Sequence, residues 1–359
     1  MDSKTVITKE TKNRIQVDYE GKLTFKERML KKLKTSNTWI KVVVNIFKFI
    51  LMLGVSYVIL FPFFSKIAGS FMSPSDVADA TVSLIPRAFT LDQYKYIISD
   101  NGYFFHTNSQ GVQLGAFFNT LFLSAICALI QTMVACLVGY GLAKFKFKGN
   151  GLIMVVVVIT MIIPHSALEL SMVRHFTSFD LGHVMATETT GILSTLTGSK
   201  IELTNTYLPF IILSLGGIAF KNGLYIYLLR QFFKGVPDEL EESAYVDGSG
   251  TFRTFVQIIL PLSVPMMITV FLFSFSWQWT DQFYSGLFFI GSNRPWVMPD
   301  ITTAPTSLEI LYGNHPVWSL YQNILQNTAG ILIIAPLVVM YLFCQKYLVQ
   351  GIERSGLVG

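Results

Sequence analysis

Between residues 237 and 248 a proline, a run of acids, a small-residue pair and a glycine occur in the order of a short helix with an anionic face. Pro237 suits a first-turn position, and Asp238, Glu239, Glu241 and Glu242 favour the positive N-terminal end of the helix dipole. Gly248, just past Asp247, can adopt the left-handed conformation that ends it. Glu242 can accept a charge-assisted hydrogen bond from an Arg or Lys of a partner, while Ser243 and Ala244 beside it let another backbone approach closely. This is chemistry for docking and not for bond breaking. The spacing continues from Gly248 through nine residues to Ile258, then Leu260-Pro261.

A second group of side chains could hold a sugar. Trp277, Trp279, Asp281, Phe283 and Tyr284 combine aromatic faces with one acid, as a carbohydrate site needs; Trp277 and Trp279 could equally form an aromatic belt at a membrane interface. Asp281 could instead meet water or a partner chain. No nucleophile elbow, phosphate-cradling glycine loop or paired intramembrane carboxylates are present, so the chain is read as a transport subunit and not an enzyme. The five histidines lie at spacings that match no zinc pair, and no metal site is expected. Cys127, Cys136 and Cys344 all fall in apolar stretches and read as small apolar residues.

These residues must be positioned by membrane helices. Hydrophobic residues make up 52% of the chain and charged ones 14%, too apolar a balance for a soluble domain. Six apolar stretches approach or exceed the length of a membrane helix: 42–64, 114–143, 151–171, 206–228, 262–290 and 326–348. The expected fold class is therefore an all-α polytopic membrane protein. Residues 1–41 hold eleven Lys and Arg. With Lys144, Lys146 and Lys148, then Lys221, Arg230, Lys234 and Arg253, and finally Lys346 and Arg354, they place both termini and the Glu242 loop on the cytoplasmic side. Lys48, near the cytoplasmic end of the first stretch, can snorkel. Residues 21–34 alternate leucines with basic residues, which suits an amphipathic helix on anionic lipid or a disordered topogenic tail; residues 1–20 read as flexible.

The run Glu242-Ser243-Ala244, Gly248, Ile258, Leu260-Pro261 resembles the EAA loop of permease subunits in binding-protein-dependent ABC importers, with Ser243 where the family usually has Ala. Ser83-Leu84-Ile85-Pro86, Asn119-Thr120, Gly141-Leu142-Ala143-Lys144-Phe145, Asn205-Thr206-Tyr207, Leu229-Arg230-Gln231-Phe232-Phe233 and Gln345-Lys346-Tyr347 are similar to the carbohydrate branch, of the MalG type. The likeness covers residues 40–359 and implies a type I importer permease fold with six transmembrane helices and a coupling loop over 235–262. Where that branch carries Trp-Asn-Asp, this chain reads Trp279-Thr280-Asp281.

The resemblance also implies partners. They are a second permease similar to MalF, two copies of an ABC ATPase that binds ATP and Mg, and an extracellular or periplasmic solute-binding protein, with no nucleic acid. The solute would be a carbohydrate and the location a bacterial cell membrane. Three external loops are expected, over 65–113, 165–205 and 291–322. The second is long for the family, and its Thr/Ser/Gly-rich run 187–199 could touch the binding protein or be a tolerated surface insertion. Trp296 and Trp318 give the third the bulk to probe the binding protein. A secondary transporter would need an internal repeat and an ionisable relay, which are not seen. An ABC permease for a non-sugar solute would share the loop but not the Gln345-Lys346-Tyr347 ending.

Overall fold

The computed structural model describes residues 8–10, 16–18, 36–108, 111–180, 191–197, 199–291, 293–304, 310 and 318–356. The chain divides into two units, Met1–Ser65 and Lys66–Gly359. In the first, Thr8–Glu10 pairs antiparallel with Gln16–Asp18, a ribbon where the sequence suggests flexible chain. The proposed amphipathic helix over 21–34 lies outside the described residues. Helix α1, Ser36–Gly69, starts in this unit, and its most apolar stretch is exposed on every side, the composition of a helix solvated by lipid.

The second unit is built around α2, Ala116–Lys144. Most of its buried residues are small or polar, among them Ala116, Ser124, Ala128, Thr132 and Ala135, so neighbouring helices pack closely on it. Those neighbours are α5 (Leu208–Leu215), α6 (Asn222–Lys234) and α8 (Thr251–Trp279); α6 also meets α3 (Asn150–Ile162), and α8 meets α10 (Trp318–Gly356). A Cβ on Gly223 would come within 2.5 Å of Thr160 Oγ1 and 2.9 Å of Val157 O, so only glycine allows α3 and α6 this contact.

Among the described residues four helices are long and apolar enough to cross a bilayer, within α1, α2, α8 and α10, or five if a bent pair counts as one span. The bent pair replaces the continuous stretch 151–171. Pro164 holds Ile163 extended, at φ −65° and ψ 120°, and the chain re-enters helix at His165 to continue through α4, Glu169–Thr177, at 96° to α3. The stretch 206–228 is also interrupted. Gly217, at φ +69°, closes α5 with Gly217 N–H donating to Ser214 O and Ile218 N–H to Leu213 O, and α6 starts only after Lys221, itself left-handed at φ +65°. The stretch 262–290 ends as helix at Trp279, and a turn leads into the short α9, Phe283–Phe288.

Candidate coupling surface and solute-facing cavity

Helix α7, Glu239–Val246, is the predicted docking helix, and its end is built as the glycine implies. Gly248 has φ +82°; its N–H donates to Tyr245 O at 3.0 Å, and Ser249 N–H donates to Ala244 O at 2.9 Å, satisfying two carbonyls that would otherwise lack partners. At the other end Asp238 does not cap the helix with its side chain. Its carboxylate pairs with Lys144 Nζ at 2.5 Å, and the same ammonium donates to Val236 O at 2.6 Å, which ties α7 to the end of α2. The Lys144 bond holds the Asp238 carboxyl below its usual range.

The structure divides the predicted loop residues between two faces. Glu241 and Ala244 turn inward, and Tyr140 Oη on α2 donates to Glu241 Oε1 at 2.9 Å. Ala244 therefore packs against its own chain, correcting the expectation that it joins Ser243 in an external patch. Glu239, Glu242, Ser243 and Asp247 remain exposed, joined by Val246 (88% exposed) and Phe252 (79%), apolar groups that sequence reasoning missed. Ile258 and Leu260 pack on the core of the unit, while Pro261 is exposed. A π turn over Phe255–Ile259 sends Leu260 N–H to Phe255 O, directly before Pro261, which has no N–H to give.

The predicted sugar group is dispersed. Trp279 is fully buried, stacked on Phe275 at 5.6 Å and edge-on to Phe117 at 5.8 Å, with Nε1 donating to Ile333 O of α10 at 2.9 Å. It offers no face to a solute or to lipid. Tyr284 is buried against Phe288. Asp281 spends both carboxylate oxygens on the backbone N–H groups of Phe283, Tyr284 and Ser285 and so starts α9. Only Trp277 keeps an open face, 48% exposed.

Around Trp277 the two helix interruptions meet. Phe220 lies 5.3 Å from the Trp277 ring and 4.8 Å from the His165 ring, and Lys221 Nζ sits 5.0 Å from the Phe220 centroid and 5.2 Å from that of Trp277. A cavity of about 310 Å³ opens here, lined by Thr160, Pro164, His165, Lys221 and Asn222. Beside it Gln131 ties three helices together, accepting from Ser274 Oγ of α8 at 2.7 Å and donating to Ser214 Oγ of α5 at 3.0 Å. Among the described residues no His, Cys, Asp and Glu cluster could hold a metal.

The two loop tryptophans are packed into the protein. Trp296 stacks on His106 at 4.5 Å, lies under Arg294 at 5.2 Å and donates Nε1–H to Asn101 O at 2.8 Å, so it braces the hairpin of Phe105–Asn108 with Gly111–Leu114. Trp318 packs beside Tyr321 and Leu325. Residues 305–309 and 311–317 of that loop, and 181–190 of the inserted loop, lie outside the described residues. The inserted loop is closed by a bridge between Phe179 and Ile201.

Residues 131–354 match the sequence profile of the binding-protein-dependent transport system inner membrane component family, more than half of the chain. The chain belongs to that family. Its membrane-spanning permease fold is shared with a bacterial ABC transporter involved in the import of the acidic polysaccharide alginate (TM-score 0.61, 18% identity, 87% of this chain and 98% of that one). Among curated relatives, Protein LplC of Bacillus subtilis is 27% identical over 85% of this permease and 92% of the relative. The arabinooligosaccharides transport system permease protein AraQ of the same organism is 26% identical over 87% and 94%.

Proposed function

We propose that this permease is one of two membrane subunits of an ATP-driven importer of carbohydrate oligomers in a bacterial inner or plasma membrane, with α7 as its coupling helix. The observation that carries the reading is α7 itself: an eight-residue helix between α6 and α8, closed by Gly248 and presenting Glu242, Ser243 and Val246 outward, with Phe252 at the start of α8 exposed beside it. An acid flanked by exposed apolar groups suits a cleft on an ATPase that supplies a cation and an apolar wall. The ATPase subunits would hold ATP and Mg, a second permease similar to MalF would complete the pathway, and an external binding protein would deliver the solute. The likeness to AraQ, a transport system permease for arabinooligosaccharides, and to the alginate importer supports the importer reading and an oligosaccharide solute.

Six crossings follow on this reading if α3–α4 and α5–α6 each make one broken crossing beside α1, α2, α8 and α10; both termini and α7 are then cytoplasmic. Broken crossings are tolerated where they line a cavity, and both breaks do. The test is Glu242→Lys. Like charges at a desolvated contact cost roughly 2–5 kcal/mol, so the ATPase should no longer co-purify while the permease still inserts. Normal co-purification together with normal oligosaccharide-stimulated ATP hydrolysis would overturn the assignment of α7.

A further inference from the structure

Charge counting groups Lys221 with the cytoplasmic flanking residues, and on the importer reading its place in the fold sets it deeper. It precedes α6, whose thirteen residues rise about 20 Å before Lys234 and the coupling loop. The break beside it packs on the middle of α2, where Gly217 faces Val134. Lys221 is exposed there, and among the described residues no carboxylate forms an ion pair with it. Asp281, the nearby acid, is bound to three backbone N–H groups.

A charge at such depth is expensive unless it faces water, a partner or a solute. A second observation points to a ligand. Asn222 lines the same cavity, is fully buried, and neither its amide nitrogen nor its oxygen has a hydrogen-bond partner. The cavity thus gathers an ammonium group, an unpartnered amide, the positive end of a thirteen-residue helix and the imidazole of His165. Phe220 and Trp277 stand beside them as faces for sugar C–H groups.

We propose that this cavity is a subsite for an anionic group on the transported saccharide, a carboxylate-bearing sugar, with Lys221 as the residue that selects it and Asn222 as a hydrogen-bonding partner. The proposal rests on the importer reading above. A pyranose lying on Trp277 or Phe220 directs a ring carboxylate toward Lys221 and the start of α6. A phosphate from a lipid headgroup offers the same charge, and the experiment separates the two.

The whole importer, with its partner permease, ATPase and binding protein, is reconstituted in vesicles of neutral phosphatidylcholine and in vesicles that also contain phosphatidylglycerol. Uptake of a neutral and a uronate-containing oligosaccharide of equal length is measured per assembled complex for wild type, Lys221→Asn and Lys221→Arg. Asn tolerates the left-handed backbone at this position. Loss of one charge-assisted contact should lower the acidic-to-neutral uptake ratio about ten- to hundredfold in Lys221→Asn, with Lys221→Arg keeping most of it. If Lys221→Asn fails to assemble, Lys221→Gly, which takes the same backbone freely, reads the same ratio. An unchanged ratio, an equal fall in Lys221→Arg, or a fall confined to phosphatidylglycerol vesicles overturns the subsite. Wild-type uptake of the neutral sugar alone also overturns it and leaves the importer reading standing. Uptake of neither sugar overturns both.

Discussion

Replacing Tyr140 by Phe removes one hydroxyl from the contact that holds α7, the proposed coupling helix, to the body of the permease. The ring would stay in place, packed on Phe255 at 4.7 Å and on Phe145 and Phe233 at 5.5 Å each, so the change is confined to the 2.9 Å bond to Glu241. Tyr140 is 5% exposed and Glu241 8%, so water replaces the lost donor poorly. A hydrogen bond to a carboxylate contributes about 1.5–3 kcal/mol. A loss of about 2 kcal/mol raises the population in which α7 separates from α2 roughly thirtyfold. Lys144, which grips Asp238 and Val236, still tethers the start of the helix, so ATPase binding should persist. The expected result in the reconstituted complex is near-normal ATP hydrolysis with fewer sugar molecules moved per ATP. An unchanged ratio at equal assembly would show that α7 is not braced through this bond.

Other perturbations follow from the same geometry. Gly248→Val forces a β-branched residue to φ +82°, costing about 1–2 kcal/mol or more, so ATPase co-purification should fall while membrane insertion persists; Gly248→Asn should retain most of it. Trp279→Ala empties a core site and removes the Nε1 donor to the Ile333 carbonyl, an expected loss of about 3–5 kcal/mol seen as less assembled permease. An altered sugar preference per assembled complex would refute that placement. Burial lowers the pKa of His106 from 6.5 despite the Asp300 carboxylate, so the unfolded hairpin takes up a proton more readily than the folded one. Hairpin stability is complete above about pH 6.5 and is lost as the pH falls toward the depressed folded value. Amide exchange over 105–114, corrected for intrinsic rate, should quicken between about pH 7.5 and about pH 5.5, and His106→Phe should abolish the change.

What could be read in the sequence was local. Pro237, the acids and Gly248 each act on backbone within a few residues, and α7 forms where they place it. Which way a helix faces is not local. Ala244 and Ser243 are neighbours in sequence, yet one is buried and the other exposed; Trp277 and Trp279, two residues apart, point to different sides of α8. The helix breaks were written in Pro164 and Gly216-Gly217, but the apolar length of 151–171 and 206–228 masked them, because hydropathy counts composition and not backbone conformation. Charge counting is limited for a related reason. It assigns a side to each basic residue and has no depth.

The positions of the breaks give α7 a mechanical reach that its own residues do not show. On the proposed function, α7 is where the ATPase acts, and two helices leave it: α6 on the N-terminal side and α8 on the C-terminal side. Run to their far ends, they arrive together, Lys221 at the start of α6 lying 5.2 Å from the ring of Trp277 near the end of α8. Both are held along their length by α2, so neither can bend freely. On that function a displacement of α7, braced to α2 through Tyr140, is carried along these helices to the cavity as movement of Lys221 in its wall and of the Trp277 face beside it. Had α5 and α6 been one continuous helix, the same displacement would have to move the whole crossing. The left-handed residues Gly217 and Lys221 break the chain between α5 and α6, so that α6 can shift with α2 and α7 without carrying α5 as a rigid extension.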